Sequence, residues 1–389
     1  MSAATQTAQH GLSEHSHGAG VPIQTRYERK RSTNVQDFPA ISAREEQWRY
    51  LSADRLGGLD ADTLSEFTGD LAITHSDGVT TAWVGEENPA FGGAGIPEER
   101  PSAAAWGSAK QAYLVTVPAN QKSDVQIALS SDSAEPSALH LIIDAKPFAE
   151  ATVILDHKGH AILGENVEII VGDEAQLTVV SIQDWDDHSI HASTQMARLG
   201  RNSRLKHVVV SLGGKTVRVA SSTEFTQPGG DTEMLGMYFA DAGQYLENRL
   251  YVDHAVPNCK SRVTYKGALQ GEKAHTVWVG DVLIRMAAEG TDTYELNRNL
   301  LLTDGARADS VPNLEIETGK IEGAGHASAS GRFDDEQLFY LQARGITEIE
   351  ARRLVVRGFL NEIIQQIDNE QIRERLTKSI EAELERSGS

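Results

Sequence analysis

Few side chains in this chain are placed where chemistry could be done. His326 stands in Gly323-Ala324-Gly325-His326-Ala327-Ser328-Ala329-Ser330 as the one bulky side chain among small ones. Such surroundings leave its imidazole open to another chain or an ion, and neutral imidazole is a borderline ligand that suits iron. Cys259 follows the turn-like Pro257-Asn258 and precedes Lys260 and Arg262, cations that would favour a thiolate if they lie close. Its plain reading is a small residue at the edge of a repeating unit. His254, five positions earlier, would supply only a second ligand where four are wanted. Gly213-Gly214-Lys215-Thr216 resembles the end of a phosphate loop, but the glycine needed five positions before Gly214 is Val209. The segment also lies between strands, so no helix N-terminus would face a phosphate. Gly93-Ala94-Gly95 fails as a dinucleotide fingerprint because Glu98 stands at the third glycine position.

Charge narrows the class of partner. Against 36 Lys and Arg there are 56 Asp and Glu, a net charge of −20 over 389 residues, and no broad basic surface is available to displace counterions from a nucleic-acid backbone. The one basic run, Arg26, Arg29, Lys30 and Arg31, borders a polar leader and reads as solvated. A single cysteine excludes an internal disulfide and any cluster held by several cysteines of this chain, which points to a reducing compartment. No apolar run reaches the roughly 20 residues of a membrane span, and no secretory signal opens the chain. We expect a cytoplasmic protein with neither nucleic-acid nor membrane partners.

Four regions follow along the chain. Residues 1–34, polar and with His10, His15 and His17, lack the apolar content to repay ordering and are expected to be a disordered leader. Residues 35–112 form a mixed, partly helical region, opened by a Ser42-to-Glu45 capping box before Trp48. From Tyr113 to about residue 330 short runs of Val, Ile, Leu and Thr alternate with turn residues. The turns at Gly172, Gly200, Gly229 and Pro257 recur at a nearly constant interval, as stacked rungs would require. A β-sandwich with evenly spaced hairpins is the competing architecture. Residues 331–389 are helical. Gly345 stops a first helix, Thr347 and Glu350 form a capping box for a second, and Ile372, Leu376, Ile380 and Leu384 mark a third.

The helical end is also distinctive in wording. Arg332, Asp334-Asp335-Glu336-Gln337-Leu338-Phe339-Tyr340, Arg344-Gly345-Ile346 and Gly358-Phe359 resemble the carboxyl-terminal signature of the SufB/SufD family of SUF iron-sulfur cluster assembly proteins. The likeness extends more thinly through Asn297-Arg298-Asn299 and Pro312-Asn313-Leu314 to His326. What it implies is a mainly β fold: a right-handed parallel β-helix core with helical N-terminal and C-terminal segments.

The resemblance further implies a scaffold without turnover of its own. Such a subunit would pair with SufB through the β-helix and dock the SufC ATPase on its C-terminal helices, where Leu354 and Phe359 are candidate contacts. His326 falls where SufD proteins carry a histidine implicated in nascent cluster assembly, so it is the candidate iron or cluster ligand. No tightly bound cofactor is expected, only transient iron or a nascent cluster shared with SufB. SufD relatives can carry a cysteine at the position held here by Ala324. SufB-type chains have several cysteines, one expected within Glu295 to Thr303, where this chain has Asn297, Arg298 and Asn299; that favours SufD. A SufB-like principal scaffold is the alternative. A carbohydrate-active β-helix enzyme would need carboxylates in phase on successive rungs, and Asp173 and Asp231 are better explained as turn residues.

Overall fold

Parallel pairing between strands one rung apart organises the chain. In the computed structural model, which describes residues 29–332 and 335–386 with side chains omitted for 335–338, 385 and 386, two parallel sheets face each other. One stacks Gln176–Trp185, Arg204–Ser211, Asp231–Ala240, Lys260–Leu269, Asp292–Leu301 and Gly323–Arg332. The other stacks Ile190–Leu199, Thr216–Phe225, Tyr245–His254, His275–Ile284 and Arg307–Ile316. Lys122–Ala145 and Glu150–Val171 run unbroken through the corner and serve both sheets. The result is the expected β-solenoid, of about 8 turns. The leader histidines His10, His15 and His17, and Asp334, lie outside the described residues.

The turn column explains the period seen in the sequence. Glu174, Asn202, Gly229, Asn258 and Gly290 all take positive φ, and each donates its amide to a carbonyl of the next rung, as from Asn202 to Pro228 at 3.1 Å and from Asn258 to Glu289 at 2.8 Å. A left-handed residue at one phase thus turns the chain and bonds the stack, which is why Asn and Gly recur there. Rungs lengthen along the stack. Early in the solenoid Glu150 pairs with Gln176, whereas near its end Lys260 pairs with the more distant Asp292.

Alternate strand residues point inward, where Val153, Leu155, Val179, Leu205, Val263 and their neighbours form the main core. Both outer faces are covered. On the second sheet, Trp48, Leu51, Leu56 and Leu59 pack against Ile190, Tyr245 and Val277, and the buried Arg218 pairs with Glu99 and Glu247 beneath the Trp48 ring. The capped helix expected after Ser42 is only a 3-10 turn, Glu46–Trp48; among the described residues of the N-terminal region the one α-helix is α1 (Arg100–Ser108). On the first sheet lie α2 (Asp335–Ala343), α3 (Glu348–Ile364) and α4 (Glu370–Arg386). Leu360, Ile364, Leu376 and Ile380 meet Val180, Val208 and Met237 there. Gly345 has φ +86°, and Thr347 with Glu350 forms the capping box. Arg375 of α4 clasps Asp156 at 2.6 and 2.8 Å and Asp184 at 3.0 Å. Among the described residues no helix is long and apolar enough to cross a membrane.

Candidate functional site

The stack stops at Gly323–Arg332 in one sheet and Arg307–Ile316 in the other, and among the described residues each is paired on one side only. An unpaired strand edge is a template for another chain. His326 lies on the first of these strands and is exposed. Its ladder partner is Glu295, and neighbours in a parallel ladder sit about 4.8 Å apart with side chains on the same face. That face is the inner one, because Ala324, two residues away, packs against the main core. The column Val263, Glu295, His326 therefore runs from buried apolar, through buried acid, to an imidazole at the open end.

Glu295 is 1% exposed and neither carboxylate oxygen has a hydrogen-bond partner. Burial, reinforced by the charge of Asp281, pushes its carboxyl up to about 8. The indole Nε1 of Trp278 beside it is also without a partner. Gly280 makes room for both: a Cβ there would meet the Trp278 ring at 2.5 Å and Glu295 Oε1 at 2.9 Å. The next column is fully satisfied. Asn297 Nδ2 donates to Tyr238 Oη at 2.9 Å and to the Tyr265 carbonyl at 3.2 Å, while Asn299 Nδ2 donates to Asn297 Oδ1 at 2.8 Å and to Ser330 Oγ at 3.2 Å. Asn297 and Asn299 are thus inward groups that fix the last rungs, and against that ordered wall Glu295 stands out.

The remaining candidates are scattered. Cys259 is buried, and burial pushes its thiol up, away from a reactive thiolate. His254 donates or accepts at Ser261 Oγ, 2.9 Å away, and stacks on Phe225. Gly213 and Gly214 link two strands, with no helix following. On the helices, Leu354 is 49% exposed, and Phe339, Tyr340 and Ile349 of α2 and α3 are exposed as well. Phe359 is half-buried, with Lys266 Nζ 4.7 Å above its ring. Sequence reasoning did not single out Glu295; its only signal is its ladder register with His326, which appears once the rungs are aligned.

Residues 128–359 match the family described as SUF system FeS cluster assembly, SufBD core domain. The chain belongs to this SufBD family. It is 52% identical over 365 residues to the Mycobacterium tuberculosis protein named iron-sulfur cluster assembly SufBD family protein Rv1462, covering 91% of this chain and 92% of that one. A second protein of that organism, SufBD family protein Rv1461, is 28% identical over 229 residues, covering 59% of this chain and 27% of the other. The Synechocystis SufBD family protein slr0076 is 28% identical over 213 residues, covering 55% and 47%. The matched segment contains the open rungs, Glu295 and His326.

Proposed function

We propose that this SufBD family protein is a SufD-type scaffold subunit in the cytoplasm, without turnover of its own, which pairs with a SufB-type subunit through its open last rung and docks a SufC-type ATPase on α2 and α3. The observation that carries the reading is the end of the solenoid: two half-paired strands, an exposed imidazole at His326, and a buried unpartnered carboxylate one rung behind it. A partner end seated there would cover both strand edges and bring its own ligands to His326. Iron, the cargo, would meet imidazole and carboxylate, a ligand pair suited to Fe2+. One cysteine in the whole chain argues for an accessory role, since a principal scaffold needs more thiolate. Leu354 and Phe359 of α3 would offer apolar contacts for the ATPase.

Co-expression with SufB-type and SufC-type partners tests this. The three chains should co-purify, and His326→Ala should leave the complex assembled while reducing cluster maturation. A stable cluster formed on this chain alone would overturn the accessory role, and unchanged maturation in His326→Ala would remove the ligand.

A further inference from the structure

A second constellation lies deep inside the solenoid, far along the stack from the open end. His157 and Glu165 flank the corner of Glu150–Val171, and His191 sits one rung on, opposite Leu163. All three are fully buried or nearly so, at 0%, 0% and 1% exposure. His157 Nε2 is 3.0 Å from Glu165 Oε1, His191 Nε2 is 3.4 Å from Glu165 Oε2, and one donor atom from each lies within 4.8 Å of the others. An ion bound at 2.0–2.2 Å holds its ligands about 3 to 3.5 Å apart; both imidazoles already stand at that separation from Glu165, and a small approach of the two rings would close the set.

Hydrogen-bond bookkeeping singles out the same three atoms. His157 Nδ1 lies 3.0 Å from the Ile182 carbonyl, which can only accept, so Nδ1 carries the hydrogen and Nε2 of the neutral ring presents a lone pair. His191 Nδ1 lies 2.7 Å from Gln183 Oε1, and the Gln183 amide is oriented by donating its Nε2 to Ser181 Oγ at 2.9 Å. The Trp185 indole N–H, which can only donate, reaches the same nitrogen at 3.1 Å, so the two contacts favour opposite tautomers of the ion-free ring. His191 Nε2, deeply buried, makes no hydrogen bond and lies 3.4 Å from Glu165 Oε2. Two imidazole nitrogens and a carboxylate thus converge between adjacent rungs. Each ring nitrogen facing away is tied to an oxygen, the arrangement by which proteins aim metal-ligating histidines, and Ser193 Oγ donates to Glu165 Oε2 at 2.7 Å to orient the carboxylate.

We propose that His157 Nε2, His191 Nε2 and Glu165 bind a divalent first-row transition ion, of the Zn2+ or Fe2+ class, as a resident structural centre joining adjacent rungs. Two imidazoles and one carboxylate are a ligand set that both ions accept. Enclosure on every side means that the ion enters as the rungs close and is retained by them. Without an ion, a proton on His157 shared with Glu165 satisfies the same atoms; ion and proton compete, and uptake of the metal releases the proton.

The test uses the full chain and Co2+ as the probe. Protein unfolded with a chelator, freed of it and refolded with Co2+ should bind one ion per chain, show visible ligand-field bands, and unfold at a higher denaturant midpoint than metal-free protein. Glu165→Gln and His191→Gln should weaken Co2+ binding at least ten-fold. Should either fail to fold, Ser193→Ala removes only the orienting hydroxyl and should weaken binding measurably with the fold intact. Wild-type protein that takes up less than about a tenth of an equivalent, shows no bands and has the same midpoint with and without metal overturns the proposal in favour of a proton alone. Undiminished binding by a folded Glu165→Gln overturns it in favour of another site.

Discussion

Replacing Glu295 with glutamine removes one charge and keeps the shape of the side chain. An ordinary glutamic acid has a pKa of 4.5, and in the folded chain burial and Asp281 push it up to about 8. A carboxyl that holds its proton more tightly when folded costs nothing below the lower value, and stability is then lost as the pH rises toward the upper one, at about 1.4 kcal/mol per pH unit. Between 4.5 and 7 the loss reaches about 3 kcal/mol. Glutamine cannot ionise, so Glu295→Gln should be about 3 kcal/mol more stable than wild type at pH 7, about 1 kcal/mol at pH 5.2, and equal near pH 4.5. Urea denaturation followed by circular dichroism at these three pH values measures it. Equal midpoints at pH 7 would refute the reasoning, because they would mean that Glu295 is solvated or paired in the isolated chain. An advantage independent of pH would do the same. The gain should come with impaired cluster maturation in the assembled complex, since the strain belongs to the end that the partner is proposed to cover.

Further outcomes follow from other contacts. Arg375→Ala leaves Asp156, 3% exposed, without its bidentate partner and should cost about 2 to 3 kcal/mol in chemical denaturation. His207 and His254 are pulled down by burial to about 4 and about 3, so the folded rings stay neutral while the unfolded chain takes up protons below about pH 6.5. Each therefore removes stability as the pH falls, about 2 kcal/mol at pH 5, and His207→Gln should lose that much less than wild type between pH 7 and pH 5. Leu354→Asp should change stability by no more than about 0.5 kcal/mol, because the side chain is half exposed, yet abolish pull-down of a SufC-type ATPase. Gly236→Ala drives a Cβ into the Tyr265 ring and should cost about 1 to 3 kcal/mol, read as a lowered melting temperature.

The periodic part of this fold was legible because its cause is local. A left-handed turn residue must recur wherever a rung turns, and Asn202, Gly229 and Asn258 mark the phase by type alone. The helical end was equally legible: Gly345, Thr347 and Glu350 do in the structure what their side chains favour anywhere. Ser42 misled, since its hydroxyl caps a turn at Arg44 rather than opening a helix, and the segment is held instead by burying Trp48 on the second sheet. Sites inside the solenoid were beyond reach for a different reason. Glu295 and His326, or His157 and His191, meet only through stacking, and rungs that lengthen along the stack blur any fixed spacing that would pair them. His326 was singled out through its small neighbours and the family resemblance, while Glu295 looked like one more acid on a strand.

The helical layer joins residues made after the solenoid to rungs made early in it, as in the clasp of Arg375 on Asp156 across 219 positions of sequence. Its landing surface, from Ile154 through Val208 to Ala268, is assembled from several successive rungs and does not exist until they have stacked in register. During synthesis α3 and α4 can therefore settle only on a finished solenoid, and a slipped rung would present a broken surface and leave them loose. The layer acts as a folding checkpoint. The proposed ATPase platform becomes available only on molecules whose rungs are already in order.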